Sequence, residues 1–382
     1  MTSLYSAVGE QLTHYAIDFD NFELTRRGTV TLPAPVQYLW PHPSRRHVYV
    51  VSGHRGRSGP GVRHYLNALA VGEAGDLRLH GEARDLPMRP LHVSVDRSGR
   101  YILSAYNEPA GVTVHRISDD CSVGAPVEQP SGLDLGIFPH QILTTPGNRT
   151  AILVTRGNDA AGGKPEDPGA LKVLSFAEGV LGNVASIAPN RGYGFGPRHL
   201  DFHPHRPLVY VSLERQNALE VYALEDGRLG AAPLFHKTAL AHPDNVRPRQ
   251  LGGTVHVHPN GRYVYVANRA DWTQSDSEGR HTFAGGENSI AVYAIDEGTG
   301  EPTLIQHADP MSFHVRTFAI DPQGRMLVAG SIIPMDVRDG TGVRHVPAAL
   351  TVFRMGADGM LAFVRKYDVA TDGKTQFWTG MV

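Results

Sequence analysis

Residues 258–269 read HPNGRYVYVANR, a tight-turn sequence followed directly by a strand sequence. Proline at the second turn position presets the backbone for a type I turn, and glycine at the fourth position allows a positive φ angle. The run that follows the turn is rich in valine and tyrosine, which favour β-strands. A short apolar run also precedes the turn. The stretch therefore predicts a β-hairpin.

The same plan recurs along the chain, with a turn of the form His/Asp-Pro-x-Gly-Arg or a close variant between two short apolar runs. The copies are HPSRRHVYVVSG at 42–53, DRSGRYILSAYN at 96–107, TPGNRTAILVTR at 145–156, HPHRPLVYVSLE at 203–214, HPNGRYVYVANR at 258–269 and DPQGRMLVAGSI at 321–332. Successive copies lie 49 to 63 residues apart, a spacing that accommodates about four short strands per unit.

A third apolar run and a polar turn follow each hairpin, as in SIAVYAI at 289–295, and a seventh such run, QLTHYAI, lies at 11–17. The early unit lacks an inner strand, while the chain ends with the unassigned segment TQFWTGMV at 375–382. A C-terminal strand that pairs with N-terminal strands would close a ring and leave no open sheet edge. We therefore predict an all-β, seven-bladed β-propeller over residues 1–382 as one domain, with the last blade closed in this way.

Composition limits the classes of partner. The 36 Lys and Arg residues nearly balance the 38 Asp and Glu residues, for a net charge of −2, so neither nucleic acid nor a membrane surface is an expected partner. The single cysteine, Cys121, rules out an internal disulfide framework. The N-terminal segment lacks the pattern of a secretion signal, and no apolar run is long enough to span a membrane. We expect a cytoplasmic protein; its oligomeric state is not indicated.

The hairpin repeat also predicts where polar side chains meet. In each unit the residue five positions before the turn and the residue eleven positions after its start lie opposite each other, at one end of the blade. Consecutive units place charged or imidazole side chains at these two positions, namely His140, Arg156, Arg198, Glu214, Arg269 and Arg316. We expect them on one rim around the central channel, where they would form a site for an anionic substrate.

Other catalytic patterns are weak or absent in the sequence. His256 and His258 are spaced to share one face of a strand, but no third ligand lies nearby, so we predict no metal site. His42, His203 and His258 occupy the turn position filled elsewhere by Asp or Thr, and we interpret them as turn residues. The chain has neither a GxSxG nucleophile motif nor a phosphate-binding P-loop, and we predict no organic cofactor.

In its repeated hairpins and in the charged residues beside them, the chain resembles the propeller lactonase family. This family includes bacterial propeller-type 6-phosphogluconolactonases and the fungal 3-carboxy-cis,cis-muconate lactonising enzyme. The similarity runs through nearly the whole chain. Its most specific segments are PHQILTTPGNR at 139–149, GPRHLDFHP at 196–204, SLERQN at 212–217, VHVHPNGRYVYVANR at 255–269 and VRTFAIDPQGR at 315–325. The segment before His140 and the cation at Arg156 depart from the pattern of the phosphogluconolactonase-like members.

The resemblance implies catalytic roles for His140, Arg198, Glu214 and Arg269. The residues assigned to substrate binding are Arg156, His199, Asn217, His256 and Arg316, of which Asn217, His256 and Arg316 fall on family positions. The implied activity is hydrolysis of a small anionic sugar lactone in carbohydrate metabolism. Arg198 and Arg269 would stabilise the oxyanion, and Glu214 or His140 would act as the base.

Two further hypotheses remain open. The same residues would serve a muconate-type cycloisomerase acting on a polycarboxylate, with His140 as proton donor or acceptor. The additional cation at Arg156 favours the cycloisomerase hypothesis. A non-catalytic propeller that serves as a binding platform is the third, although the sequence lacks the Trp-Asp and double-glycine signatures of common platform propellers. In both enzymatic hypotheses Arg156 or Arg316 would bind the phosphate or carboxylate group of the substrate.

Overall fold

A computed structural model of the chain describes residues 2–54, 62–275 and 279–382. The chain begins with three antiparallel strands, β1 (Ser3–Val8), β2 (Gln11–Asp18) and β3 (Glu23–Thr31). Their sheet is completed by the last strand of the chain, as described below. The only helical element in the described ranges is a short 3-10 turn at Pro189–Gly192. The fold is therefore all-β, as predicted.

Six further sheets follow in chain order, and each is a blade of consecutive antiparallel strands. Blade 1 comprises β4 (Val36–Pro41), β5 (His47–Ser52), β6 (His64–Val71) and β7 (Leu77–Leu86). Blade 2 comprises β8 (Pro90–Val95), β9 (Tyr101–Asn107), β10 (Ala110–Ile117) and β11 (Val123–Val127). Blade 3 comprises β12 (Pro139–Thr144), β13 (Thr150–Thr155), β14 (Ala170–Ala177) and β15 (Val180–Ile187).

Blade 4 comprises β16 (Pro197–Phe202), β17 (Leu208–Leu213) and β18 (Ala218–Glu225), with β19 (Arg228–Leu229) and β20 (Phe235–Thr238) both pairing with β18. Blade 5 comprises β21 (Leu251–Val257), β22 (Tyr263–Arg269), β25 (Ser289–Ile295) and β26 (Pro302–Ala308), with the ribbon β23 (Thr273–Ser275) and β24 (His281–Phe283) inserted after its second strand. Blade 6 comprises β27 (Val315–Ile320), β28 (Met326–Ser331), β31 (Ala348–Met355) and β32 (Leu361–Val369), with the ribbon β29 (Met335–Asp339) and β30 (Gly342–Val346).

The C-terminal strand closes the ring as predicted. Strand β33 (Gln376–Met381) pairs antiparallel with β1 and becomes the inner strand of blade 7. The inner strands then contact one another in the circular order β4, β8, β12, β16, β21, β27, β33 and back to β4. The seven-bladed propeller predicted from the repeat is confirmed.

The repeated turns also join neighbouring blades. The backbone N–H of Gly261 donates to the carbonyl of His258 at 2.8 Å, which closes the turn, and Gly261 has a φ of +74°. The imidazole Nε2 of the preceding blade's turn histidine, His203, lies 2.8 Å from the carbonyl of Gly261. His258 makes the same contact with Gly324 at 2.9 Å. The interpretation of these histidines as turn residues is correct, and the turn sequence helps to fix blade spacing.

Candidate functional site

The inner strands of blades 1 to 6 each contain a β-bulge at the position that the repeat analysis singled out, five residues before the turn, and β33 contains one at Phe377. Across the bulge, strand register skips one extra residue, as at His140 between the pairs Pro139–Thr155 and Gln141–Val154. The bulge residues around the ring are Gln37, Leu91, His140, Arg198, Gly253 with Thr254, Arg316 and Phe377. A bulge kinks the strand and changes the direction of a side chain. The bulges therefore change the direction of one or two side chains in each inner strand, all at the same rim of the ring.

A cavity of about 980 Å³ opens at this rim. Five of the residues predicted for the site line it, namely His140, Arg156, Glu214, Arg269 and Arg316. These side chains come from blades 3 to 6. The structure therefore brings together most of the set that the hairpin positions predicted, at the end of the central channel.

Glu214 binds three guanidinium groups. Its Oε1 accepts a hydrogen bond from Nη1 of Arg156 at 2.7 Å, and its Oε2 lies 2.8 Å from Nε of Arg198. Arg269 donates to the same Oε2 through Nη2. All three arginines are therefore held around one carboxylate, and this cluster carries an excess of positive charge.

Burial and charge determine the protonation of this cluster. Burial by itself would raise the pKa of Glu214, but Arg269, Arg198 and Arg156 outweigh it and lower that pKa to about 2. Burial, followed by the charge of Arg269, lowers the pKa of Arg198 to about 9, against the opposing effect of Glu214. At neutral pH the carboxylate is ionised, which makes Glu214 a weak base.

Among the described residues, Arg316 is a cation of the cavity lining for which no ion pair is found. Its guanidinium carbon lies 3.7 Å from the centre of the Phe377 ring, a cation–π contact. Within the described ranges no carboxylate lies at ion-pair distance from Arg316. Burial, followed by the charges of Arg198 and Arg269, lowers the pKa of Arg316 well below its ordinary value. An anionic ligand would relieve this repulsion.

His140 is a neutral imidazole at the cavity wall. Burial and the surrounding arginines lower its pKa well below 6.5. Its Nδ1 is buried without a hydrogen-bond partner among the described residues. The ring packs edge-on against His199, with 4.9 Å between the ring centres. His140 is therefore in a neutral state and positioned to exchange a proton with a ligand.

The structure adds a pair of residues that the sequence analysis missed. His314 and Asp271 both line the cavity, and Nδ1 of His314 lies 3.0 Å from Oδ2 of Asp271. Nε2 of His314 lies 2.8 Å from Nη1 of Arg269. Asp271 also forms a two-point ion pair with Arg249, at 2.6 and 2.7 Å. A sequence signal existed, because Asp271 and His314 each stand two residues from a predicted site residue.

Four of the predicted residues do not line the cavity. Arg198 has no exposed surface and its Nε lies 2.8 Å from Oε2 of Glu214, so its contact with an oxyanion stays a prediction. His199 is buried further along the channel, where its Nδ1 lies 3.1 Å from the Thr254 hydroxyl.

The other two were assigned through the family resemblance. Asn217 is buried and donates through Nδ2 to the carbonyl of Gln250 at 3.2 Å. His256 lies 3.5 Å from Asp201 and packs on Phe318, away from the lining of the cavity. Asn217, His256 and His199 therefore contact protein groups outside the lining of this cavity, and their substrate contacts stay predictions.

Residues of metal-binding type are dispersed. In the portion of the chain that the structure describes, no three His, Cys, Asp or Glu side chains converge in a way that would hold a metal ion. Over the same ranges, none of the helices has the length and apolar character needed to traverse a bilayer.

Comparisons with known proteins agree with this architecture. Residues 1–331 match the model of the family described as lactonase, 7-bladed beta-propeller. The chain is 29% identical over 310 residues to a 6-phosphogluconolactonase of Pectobacterium carotovorum, covering 80% of each chain. It is 28% identical over 319 residues to a 6-phosphogluconolactonase of Yersinia pestis, covering 74% of this chain and 87% of the relative. The structure of a periplasmic gluconolactonase of Pseudomonas aeruginosa superposes with a TM-score of 0.73 at 20% identity, over 97% of both chains.

Proposed function

The chain belongs to the lactonase family of seven-bladed β-propellers, and from that premise we propose that it hydrolyses a small anionic sugar lactone to the open-chain acid. The proposed substrate class is a phosphorylated or carboxylated aldonolactone, in line with the 6-phosphogluconolactonases to which the chain is similar. The reaction would belong to carbohydrate metabolism.

The excess of guanidinium groups at the cavity is the observation that carries this proposal. Among the described residues, the arginines lining the cavity are Arg89, Arg156, Arg249, Arg269 and Arg316, with Arg198 beneath them. The acidic residues in the same lining are Glu108, Glu214 and Asp271. Buried positive charge that exceeds the local carboxylates favours a ligand with its own negative charge, since guanidinium groups bind carboxylate and phosphate in a fork-like geometry.

The proposed reaction begins with attack of water on the carbonyl carbon of the lactone. The C=O π electrons move to oxygen, and Arg269 stabilises the resulting oxyanion through the N–H groups that Glu214 and His314 leave free. Collapse of the tetrahedral intermediate breaks the bond to the ring oxygen. The proton lost by water passes to His140 and then to the leaving alkoxide, which gives the hydroxy acid.

The other arginines of the site have separate roles in this proposal. Arg316 would bind the phosphate or carboxylate group of the substrate, because no carboxylate in the described ranges neutralises it. Arg156 and Arg198 both form ion pairs with Glu214. We therefore propose that the Glu214 carboxylate holds these two guanidinium groups in place. Because three guanidinium groups occupy the carboxylate of Glu214, we assign the proton transfer to His140, which lines the cavity.

A direct assay tests the proposal. Purified protein is offered δ-6-phosphogluconolactone, δ-gluconolactone and a tricarboxylic muconate, with acid release and diene absorbance followed in parallel. We expect acid release from the phosphorylated lactone to exceed both the spontaneous rate and the rate with the neutral lactone. A change in diene absorbance without lactone hydrolysis would instead support the cycloisomerase hypothesis. If none of the three compounds is converted, both enzymatic proposals are refuted and the binding-platform hypothesis remains.

Three accompanying proposals concern the setting of the reaction. We infer that the enzyme needs no metal or organic cofactor, since guanidinium groups supply the positive charge, and activity should persist after exhaustive chelation. We also propose a cytoplasmic location, which cell fractionation tests. Neither nucleic acid nor a membrane is proposed as a partner, in keeping with the balanced net charge of −2.

A further inference from the structure

The Asp271–His314 pair lies against Arg269, the cation to which the proposed reaction assigns the oxyanion. Three donors of Arg269 have protein partners: Nε donates to the carbonyl of Gly252 at 3.1 Å, Nη1 to Nε2 of His314 at 2.8 Å, and Nη2 to Glu214. The guanidinium plane is therefore fixed on three sides. One N–H on each Nη atom remains for a ligand.

The contacts of His314 allow a single protonation state. A guanidinium can only donate, so Nε2 of His314 must accept the hydrogen bond from Arg269 and carries no proton. The ring proton then resides on Nδ1, which lies 3.0 Å from the negatively charged Oδ2 of Asp271. Burial lowers the pKa of His314 to about 4, against the opposing effect of Asp271, so the ring is neutral at neutral pH. Asp271 therefore selects the tautomer that can receive Arg269.

The backbone at His314 supports the same arrangement. His314 has a φ of +54°, in the left-handed region that non-glycine residues adopt infrequently. Its backbone N–H donates to Oδ1 of Asn288 at 2.7 Å, and this side chain also bonds to Ala270, beside Asp271. Strain held by surrounding contacts at a cavity wall is typical of residues whose side-chain direction matters.

We propose that Asp271 and His314 are positioning residues of the reaction, which hold the Arg269 guanidinium in the orientation that stabilises the oxyanion. This inference rests on the proposed lactonase function. The pair acts by hydrogen-bond polarity: Asp271 sets the imidazole tautomer, and the imidazole sets the orientation of Arg269. The carboxylate of Asp271 is in turn held by Arg249.

Three variants test the hydrogen-bond polarity. His314→Gln keeps an acceptor for Arg269 and a donor for Asp271, so we expect kcat within about threefold of wild type. His314→Leu removes both groups, and displacing the guanidinium should lower kcat by about 10- to 100-fold. Asp271→Asn retains the shape of the side chain but cannot accept from His314 and Arg249 together, and we expect a similar loss. A role limited to packing predicts no activity difference between the Gln and Leu variants at equal folded fraction.

His236→Leu is the matched control. It removes another histidine–carboxylate contact of 3.0 Å, with Glu220 on blade 4, away from the cavity, and kcat should remain unchanged. Wild-type activity on the phosphorylated lactone is measured first, so inactive wild-type protein would refute the proposed function, not this inference. If the wild type is active, full activity of both His314→Leu and Asp271→Asn would overturn the positioning role proposed for His314 and Asp271.

The wild-type protein provides a second test that does not depend on the folding of any variant. Nitrogen-15 NMR of the histidine side chains distinguishes a protonated Nδ1 from a protonated Nε2. We expect His314, identified by the missing signal in His314→Gln, to show the neutral form with the proton on Nδ1 between pH 6 and 8. A proton on Nε2, or a charged ring in that range, would overturn the proposal.

Discussion

Glu214 in the lining of the cavity forms an ion pair with the buried Arg198, with 2.8 Å between Oε2 and Nε. Arg198 has no exposed surface, and the same carboxylate also holds Arg156 and Arg269. Removing one partner of a buried charge network is costly because the remaining charges lose both solvent and counter-charge. Glu214 therefore links the stability of blades 3, 4 and 5 to the charge of the site.

Replacing Glu214 with glutamine should destabilise the fold as well as the site. The neutral amide cannot compensate three guanidinium groups, and we expect the free energy of unfolding to fall by about 3–5 kcal/mol. Urea denaturation followed by tryptophan fluorescence measures the change. Glu178→Gln is the control, because the Arg100–Glu178 pair is exposed and should contribute no more than about 1 kcal/mol. Equal stability of the two variants would contradict the proposed anchoring role.

Acid should remove the same contribution. The pKa of Glu214 is about 2 in the folded protein, against an ordinary value of 4.5, so the folded state binds the proton less tightly than the unfolded state. The resulting stabilisation, about 3 kcal/mol, is fully present above pH 4.5 and is lost as the pH falls towards 2. Unfolding free energies measured from pH 7 to pH 3 should therefore decline more steeply for wild type than for Glu214→Gln. Parallel curves would refute this assignment.

The sequence predicted the ring and the rim because both depend on strand order and hairpin register. Glu214 directly follows the second strand of its hairpin and Arg269 is the last residue of the second strand in the next blade, so strand pairing alone brings them to the same end of the blades. The closure by β33 was predictable for a similar reason, since one strand was missing at the N-terminus and one was left at the C-terminus.

Side-chain direction was not predictable from the repeat. The bulge at Arg198 sends its guanidinium beneath Glu214, whereas the corresponding bulge at Arg316 leaves its side chain in the cavity. Asp271 and His314 lie just outside regular strands, where backbone conformation depends on tertiary contacts such as those of Asn288. Residue spacing marks such positions but does not indicate their hydrogen-bond partners.

The closing strand should be essential for cooperative folding. Gln376 accepts from Ser6 at 2.9 Å in blade 7 and donates to the carbonyls of Ser331 and Ala349 in blade 6, both at 2.9 Å. Deleting residues 376–382 would remove these bonds, expose the edge of β1 and remove the buried Trp378. We expect the truncated chain to lose its single cooperative thermal transition in calorimetry. The milder Gln376→Ala should retain one transition at a lower temperature; an unchanged transition in the truncated chain would contradict closure.

Arg316 should determine the preference for charged substrates. Arg316→Met keeps an apolar side chain against Phe377 but removes the cation, so KM for the phosphorylated lactone should rise by about 10-fold or more while kcat falls less. The neutral lactone has no anionic group to lose, and its KM should change by less than about twofold.

The comparison between the two lactones separates charge recognition from damage to the site. A general disturbance of the cavity would raise KM for both substrates, whereas loss of an anion contact affects only the charged one. Arg262→Met serves as the matched control, because Arg262 pairs with Glu297 on the exposed surface of blade 5 and should leave both KM values unchanged. Raising the salt concentration provides an independent measure, since screening weakens the attraction of the cavity for the phosphorylated lactone. Its KM should therefore depend less on salt in Arg316→Met than in wild type, and an identical salt dependence would place the anion contact on another arginine of the cavity.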